Sequence, residues 1–388
     1  MYRLSEATVV EPLVNQWPVW PQLISPVTAS LQLLKHQLPT LRSYLEDPES
    51  HARLARDPEF AGSPFSDIPP HRVEEVRALL ASTEQKLKKN LDFARAVSEF
   101  HNQFVAEAHG QSLESFYEEL PDEMRGYVEL FYDYYHHPGV RFLEGLLYES
   151  EYYDPSLQSL RIFQVARDNA RPFFMSTPRL IDEGQIDWRI PFAAPAVDQL
   201  FHLDLEPQPL AAIREILNLK SDDERYLLPL LTEGGTSASP KWREQQLRIR
   251  YFGHACVLIE WNGVSILTDP YIPVMPVAGG LARYSYRDLP EKIDYALVTH
   301  SHQDHFALET LLRLRQRIGC LVVPKSYGLL CGDISLKLMA RKMNFRQVME
   351  LDTLESISLP EGEIVGVPFM GEHGDLAHGK MAYVVRAG

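Results

Sequence analysis

Six consecutive residues constrain this chain more than anything else in it: His300-Ser301-His302-Gln303-Asp304-His305. They follow the apolar run Tyr295-Ala296-Leu297-Val298 and precede a helical pattern over residues 306–316. In extended backbone, residues two apart point the same way, so His300 and His302 can share one metal ion. Asp304 and His305 fall where the helix is expected to begin and can reach a second ion beside the first. Imidazole and carboxylate donors without thiolate suit zinc, ferrous iron or manganese. The competing reading is a solvated histidine-rich loop. Three histidines and an aspartate packed between a strand pattern and a helix pattern weigh against it.

Around this run the C-terminal part reads as alternating strands and helices. Strands are expected over residues 247–251, 255–261 and 265–268, with Asn262-Gly263 as the hairpin turn between the last two. Further strands fall at 294–299, 320–323, 364–367 and 381–385, and a short helix at 335–342. The part before about residue 230 reads mostly helical. Apolar residues from Val73 to Phe104 recur at three-to-four spacing, which predicts one long helix over 72–109 stopped by Gly110. A second helix is expected from Ser112 past Tyr135, broken at His137-Pro138-Gly139, with His136-His137 ending it on the surface. Residues 186–205 read as short extended pieces, and 210–217 as a helix after Pro209. The small, polar segment Glu233–Pro240 is the best linker candidate. The expected organisation is therefore a mostly helical domain over 1–232, a linker over 233–246 and a metal-binding domain over 247–388.

The net charge of −15 lies wholly before Leu247, since the remainder carries 15 basic and 15 acidic residues. Such a chain repels phosphate backbones and anionic lipid, so nucleic-acid and membrane partners are not expected. No window approaches the length of a membrane span, and Met1–Val10 has neither a basic nor an apolar leader region, so a cytoplasmic protein is expected. Cys256, Cys320 and Cys331 are too few and too scattered for a disulfide framework or a cysteine-rich zinc site, and read as buried, reduced thiols. The aromatic residues between Tyr127 and Tyr153 read as core or as a dimer contact. There is no phosphate-binding glycine loop and no nucleophile elbow.

Gly253-His254-Ala255, Ile266-Leu267-Thr268-Asp269-Pro270 and Thr299 through His305, in that order, resemble the metallo-β-lactamase-fold proteins. The resemblance implies an α/β fold, an αββα sandwich with metals at one edge of its paired sheets. Asp269 would then orient ligands rather than bind metal, and His254 would lie near the site as a further ligand or a packed histidine. In narrower detail the chain resembles the non-haem diiron β-hydroxylases typified by the chloramphenicol-biosynthesis enzyme. These place a large domain before the metal domain and a glutamate where hydrolases of this fold have a third histidine. That glutamate would be Glu372, so His300, His302 and Glu372 would hold one iron, and Asp304 and His305 the other. His373, its neighbour, is the alternative ligand or a hydrogen-bond partner, because adjacent residues of an extended segment cannot both face one ion. Asp375 and His378 fall too early for the superfamily's later ligands and read as loop residues. On that resemblance the fold is expected to be truncated at its C-terminus, leaving the chain by itself an incomplete site.

The resemblance implies a monooxygenase with two iron ions and O₂ as co-substrate, and no catalytic residue is legible beyond the metal ligands. It would hydroxylate the β-carbon of an amino acid tethered to a carrier domain of a non-ribosomal peptide synthetase, drawing on an external electron donor. The N-terminal domain would serve carrier docking or formation of a homodimer. Because that domain is acidic, docking would need a local basic or apolar patch. The alternative is a hydrolase with two zinc ions, of the lactonase or phosphodiesterase kind, in which His373 completes the first site.

Overall fold

The structure, a computed structural model of the chain, describes residues 1–168, 170–219, 224–235, 238–277, 282–330, 332–371, 373, 376 and 378–387. Glu372, Asp375 and Cys331 lie outside the described residues, as does part of the expected linker. Among the described residues no helix is long and apolar enough to cross a membrane.

Among its described residues the N-terminal region contains eight strands: β1 (Tyr2–Leu4), β2 (Thr8–Val14), β3 (Trp17–Pro18), β4 (Val128–Tyr132), β5 (Pro138–Phe142), β6 (Gln158–Gln164), β7 (Ile186–Arg189) and β8 (Leu231–Glu233). A four-stranded antiparallel sheet in the order β3-β2-β6-β7 runs through it, with helices packed around it. The expected long helix is two, Val73–Lys86 and Lys88–Glu107. Leu87, at φ −106°, leaves the helical conformation and packs beside Leu33, Leu38 and Leu91. The helix expected from Ser112 to Tyr135 is a correction of larger scale. Only Glu114–Glu118 is helical, and β4 and β5 form a hairpin. Val128 and Leu130 are buried while Glu129 faces out, a period of two that the aromatic residues nearby disguised. His136 takes φ +64° in the hairpin loop. His137 is held by Asp133, which accepts its backbone N–H at 2.8 Å and lies 2.9 Å from its ring Nδ1. Tyr134 and Tyr135 stand exposed on this loop, whereas Tyr148 and Tyr152 are buried. In 186–205, Pro195 opens a helix, Pro195–His202, as its fixed φ allows at a first helical position.

The C-terminal region adds β9 (Arg248–Gly253), β10 (Cys256–Trp261), β11 (Val264–Thr268), β12 (Ile293–Leu297), β13 (Ile318–Pro324), β14 (Val348–Leu351), β15 (Ser356–Leu359), β16 (Gly362–Pro368) and β17 (Met381–Ala387). Strands β14-β13-β12-β11-β10-β9 form one sheet, in which β11 to β14 are parallel and β9 to β11 antiparallel. Strands β15-β16-β17 form an antiparallel second sheet. The two sheets share a core that includes Ile266, Leu297, Val322, Ile357 and Ile364. The other face of the large sheet packs on the helices Leu308–Leu314 and Leu336–Lys342. The chain is thus an α/β protein built on the paired sheets of the metallo-β-lactamase type.

That second face also buries the N-terminal region. Leu160, Trp188, Phe192 and Leu200 belong to the same continuous core as Leu258, Ala296, Leu311 and Leu321. Ion pairs bind the two regions within it. Arg313 donates to Asp204 at 2.7 and 2.9 Å, with both side chains buried. Arg315 reaches Asp198 at 2.8 Å and the carbonyl of Phe192. The segment expected as a linker is also anchored: Trp242 and Glu244 accept backbone N–H groups of Gly263 and Asn262, and Lys241 pairs with Asp294.

Glu144 is a further contact between the regions. Its carboxylate accepts the Ser335 N–H at 2.8 Å. Burial pushes its pKa up to about 7, the nearby Asp333 adding to this and the Ser335 bond opposing it. A carboxyl group whose folded pKa exceeds its unfolded value costs no stability below the unfolded pKa. The cost grows as pH rises through the interval and is complete above the folded pKa. Glu144→Gln is therefore expected to stabilise the protein by on the order of 3 kcal/mol at pH 8 and by nothing at pH 4. Urea titrations at the two pH values check this; equal effects at both would refute the assignment.

Candidate metal centre

In an open parallel sheet the strands' carboxyl ends share one edge, and the loops leaving them converge there. The β11 end supplies Thr268-Asp269, and the β12 end supplies Thr299 and the histidine run. The hairpin between β9 and β10 turns at the same edge, because β10 runs antiparallel to β11. At its tip, His254 takes φ +50° beside Gly253 at φ +123°. The left-handed turn presents the imidazole to the metal loop. From the second sheet, Met381 donates its N–H to Thr299 at 2.8 Å and Tyr383 its hydroxyl to the Val298 carbonyl at 2.9 Å. His373, between β16 and β17, lies against the histidine run.

Two clusters of donors result. One ligand atom from each of His300, His302 and His373 lies within 4.8 Å of the others, and likewise for His254, Asp304 and His305. His300 Nε2 and His302 Nδ1 are 3.0 Å apart. The His373 ring lies 4.6 Å from that of His300 and 5.1 Å from that of His302. In the other cluster, His254 Nε2 stands 3.0 Å from Asp304 and 3.3 Å from His305 Nε2. The clusters adjoin, since the His300 and His305 rings are 4.0 Å apart. This is the disposition of a dinuclear site.

Asp269, buried, organises both. One carboxylate oxygen accepts the Thr299 N–H at 2.7 Å. The other stands 2.9 Å from the Thr299 hydroxyl and 2.9 Å from His305 Nδ1. The Thr299 hydroxyl lies 2.9 Å from His300 Nδ1 in turn. With the hydroxyl donating to the carboxylate, it accepts from His300 Nδ1–H, so His300 and His305 both turn a lone pair on Nε2 toward the clusters. Burial alone would lower the His305 pKa, but its hydrogen bond to Asp269 and the charges of Asp269 and Asp304 outweigh this and raise it.

Of the residues singled out from sequence, His300, His302, Asp304, His305, His254 and His373 come together, with Asp269 behind them. Glu372, adjacent to His373, lies outside the described residues. His378 stands by Tyr327, its ring 6.0 Å away. Sequence reasoning placed Thr299 in the motif without a role and gave no part to Tyr383. The signal for Thr299 was its place directly after the β12 pattern; nothing local marked Tyr383. The donors are imidazoles and a carboxylate. Cys256 is buried, with its thiol pushed up to about 12, so it offers no thiolate. The set fits iron of the non-haem kind as well as zinc.

Fold and site together define a metallo-β-lactamase-type protein with places for two metal ions. Residues 248–383 match the profile of the β-lactamase superfamily domain, and residues 3–234 that of the diiron non-heme β-hydroxylase N-terminal domain. The chain belongs to the diiron non-heme β-hydroxylases. It is 34% identical to the 4-amino-L-phenylalanyl-[CmlP-peptidyl-carrier-protein] 3-hydroxylase of Streptomyces venezuelae, over 100% of this chain and 74% of that protein. The crystal structure of CmlA, a diiron β-hydroxylase from Streptomyces venezuelae, superposes with a TM-score of 0.88 at 32% identity, covering 100% of this chain and 73% of that one. A metal-dependent hydrolase of Flavobacterium johnsoniae is 30% identical over 139 residues, covering 33% of this chain and 58% of its own length. The chain is thus an enzyme of a family that uses two iron ions and O₂.

Proposed function

We propose that this enzyme hydroxylates the β-carbon of an amino acid held as a thioester on a peptidyl carrier protein. The observation that carries the reading is the pair of adjoining thiolate-free donor clusters, joined in one chain to an N-terminal region that matches the β-hydroxylase family throughout. The relative from Streptomyces venezuelae is named for that reaction on a carrier-bound amino acid. One oxygen atom of O₂ goes into the product and the other into water, so two electrons must come from an external donor.

In this reading His300 and His302 hold one iron, and Asp304, His305 and His254 the other; bound iron supplies the capacity to reduce O₂. The third protein donor for the first iron comes from the 372–373 pair. Family resemblance favours Glu372. The position of the His373 ring against His300 and His302 favours His373. The rest of the site positions these groups. Thr299 and Asp269 fix the ring tautomers, and Tyr383 and Met381 hold the second sheet in register with the histidine run.

Iron analysis and Mössbauer spectroscopy of the purified enzyme test the metal. Two irons per chain are expected, and stoichiometric zinc without iron would overturn the reading. Mass spectrometry of an aminoacyl carrier after reduction and exposure to O₂ should show the gain of one oxygen atom. Iron counts of Glu372→Ala and His373→Ala separate the candidate ligands, because loss of a direct ligand removes bound iron whereas loss of its neighbour leaves the count intact.

A further inference from the structure

A cavity of about 680 Å³ opens between the two regions beside the metal loop, within the range of small-molecule sites. Its inner side is Gln303, from the histidine run, and Tyr271, whose ring stands 6.1 Å from that of His254. Its other wall comes from the N-terminal region, where Pro172, Phe173 and Phe174 make an apolar face that leaves Phe173 partly exposed. The charge of this cavity runs against that of the protein. Four arginines line it, Arg167, Arg171, Arg179 and Arg283, against three acids, Glu11, Asp168 and Glu309. The acids are taken. Arg171 pairs with Glu309 at 2.6 Å, Arg179 with Glu11 at 2.9 Å and Arg283 with Asp168 at 2.7 Å. Arg167 is exposed and has no ion pair among the described residues.

We propose that this cavity receives the phosphopantetheine arm of the carrier, with Arg167 binding the arm's phosphodiester and Phe173 and Tyr271 flanking the chain that leads to the metal clusters. The inference rests on the carrier-bound substrate proposed above and says where such a substrate enters. The arm is an extended, amide-bearing chain with a single anionic group at the end nearest the carrier. It needs one cation at the mouth, an apolar wall and a hydrogen-bonding side chain deeper in. The exposed Arg167, the Pro172–Phe174 wall and Gln303 of the histidine run all line this cavity and match these needs. A guanidinium is suited to phosphate because its N–H groups match the oxygen geometry. In a chain of net charge −15 this uncommitted arginine is also the local basic feature that an anionic arm requires.

Calorimetric titration of the iron-loaded protein with 4′-phosphopantetheine and with pantetheine tests the assignment without reference to turnover. The phosphorylated compound should bind roughly fivefold more tightly, the scale of one partly exposed ion pair. Arg167→Gln should erase that preference and Arg167→Lys restore part of it, whereas Phe173→Ala should weaken both compounds alike. Equal affinities in the unaltered protein, or a preference that survives Arg167→Gln, would overturn the proposal. So would coenzyme A binding more tightly than a phosphopantetheinylated carrier, since that would make a free thioester the occupant. Failure here with two irons bound and hydroxylation intact sinks the entry route alone; zinc in place of iron with the phosphate preference intact sinks the hydroxylase reading alone.

Discussion

Asp269→Asn is expected to weaken iron binding roughly 10- to 100-fold, the usual scale for removing a group that orients a metal-binding histidine. The change alters one atom and one charge. Asp269 sits at φ +34°, a region asparagine adopts as readily as aspartate, so the backbone can stay in place. What changes is the hydrogen-bond logic. The carboxylate takes the Thr299 N–H, the Thr299 hydroxyl and His305 Nδ1. An amide can keep an oxygen toward the Thr299 N–H, but then turns its NH₂ toward the hydroxyl and His305. Nδ1 of His305 must then accept, and the ring proton moves to Nε2, the atom that faces His254 and Asp304. Metal binding would have to displace that proton, and the Thr299 hydroxyl would be left with only the amide oxygen, at 3.1 Å, as its acceptor. Titration with ferrous iron against a competing chelator measures the loss. Unchanged affinity would mean that Asp269 is a structural carboxylate and nothing more. The thermal midpoint of the metal-free variant, expected to shift little, separates ligand orientation from misfolding.

Asp204→Ala is expected to cost about 3–5 kcal/mol, the range for stripping one partner from a buried ion pair. Arg313, buried, donates twice to Asp204 and lies 4.0 Å over the Tyr286 ring. Burial works against its charge, and the Asp204 carboxylate more than compensates, so that its pKa is raised. Without Asp204 the guanidinium keeps its charge and loses its counter-ion in a site closed to water. Asp204→Ala combined with Arg313→Met should recover part of the loss, because the uncompensated Arg313 charge is gone while Arg3 and Arg317, whose charges Asp204 also favours, remain. Urea denaturation of the three variants checks this. Since the core crosses between the regions, the single variant should lower the whole unfolding transition rather than detach one region. A separate early transition of the N-terminal region would contradict the continuous core.

Much of the metal domain was legible in sequence because its strands are short, apolar and punctuated. Asn262-Gly263 turned where expected, between β10 and β11. The strand before His300 and the helix after His305 lie within a few residues of their expected positions. The N-terminal region was less legible. In the β4–β5 hairpin the aromatic residues suit a helix surface and a strand equally, and the turn is closed by His136 rather than by a glycine. Leu87 breaks a helix for the sake of a tertiary contact that local spacing does not encode.

By itself the sequence determined the donor types of the metal run. The donor types in His300–His305 and their two-residue spacing follow from covalent connectivity, and that survives whatever the rest of the chain does. Only the tertiary structure decided which distant groups join them. His254 arrives through a hairpin that turns at the shared sheet edge, and His373 from between β16 and β17 of the second sheet. Arg171 reaches Glu309, just after the metal loop, from the other region of the chain. These partners come from segments that meet only because the large sheet buries both its faces, one against the second sheet and one against the N-terminal region. Hydrophobic burial drives that meeting, and it is nearly indifferent to which polar side chains are carried along.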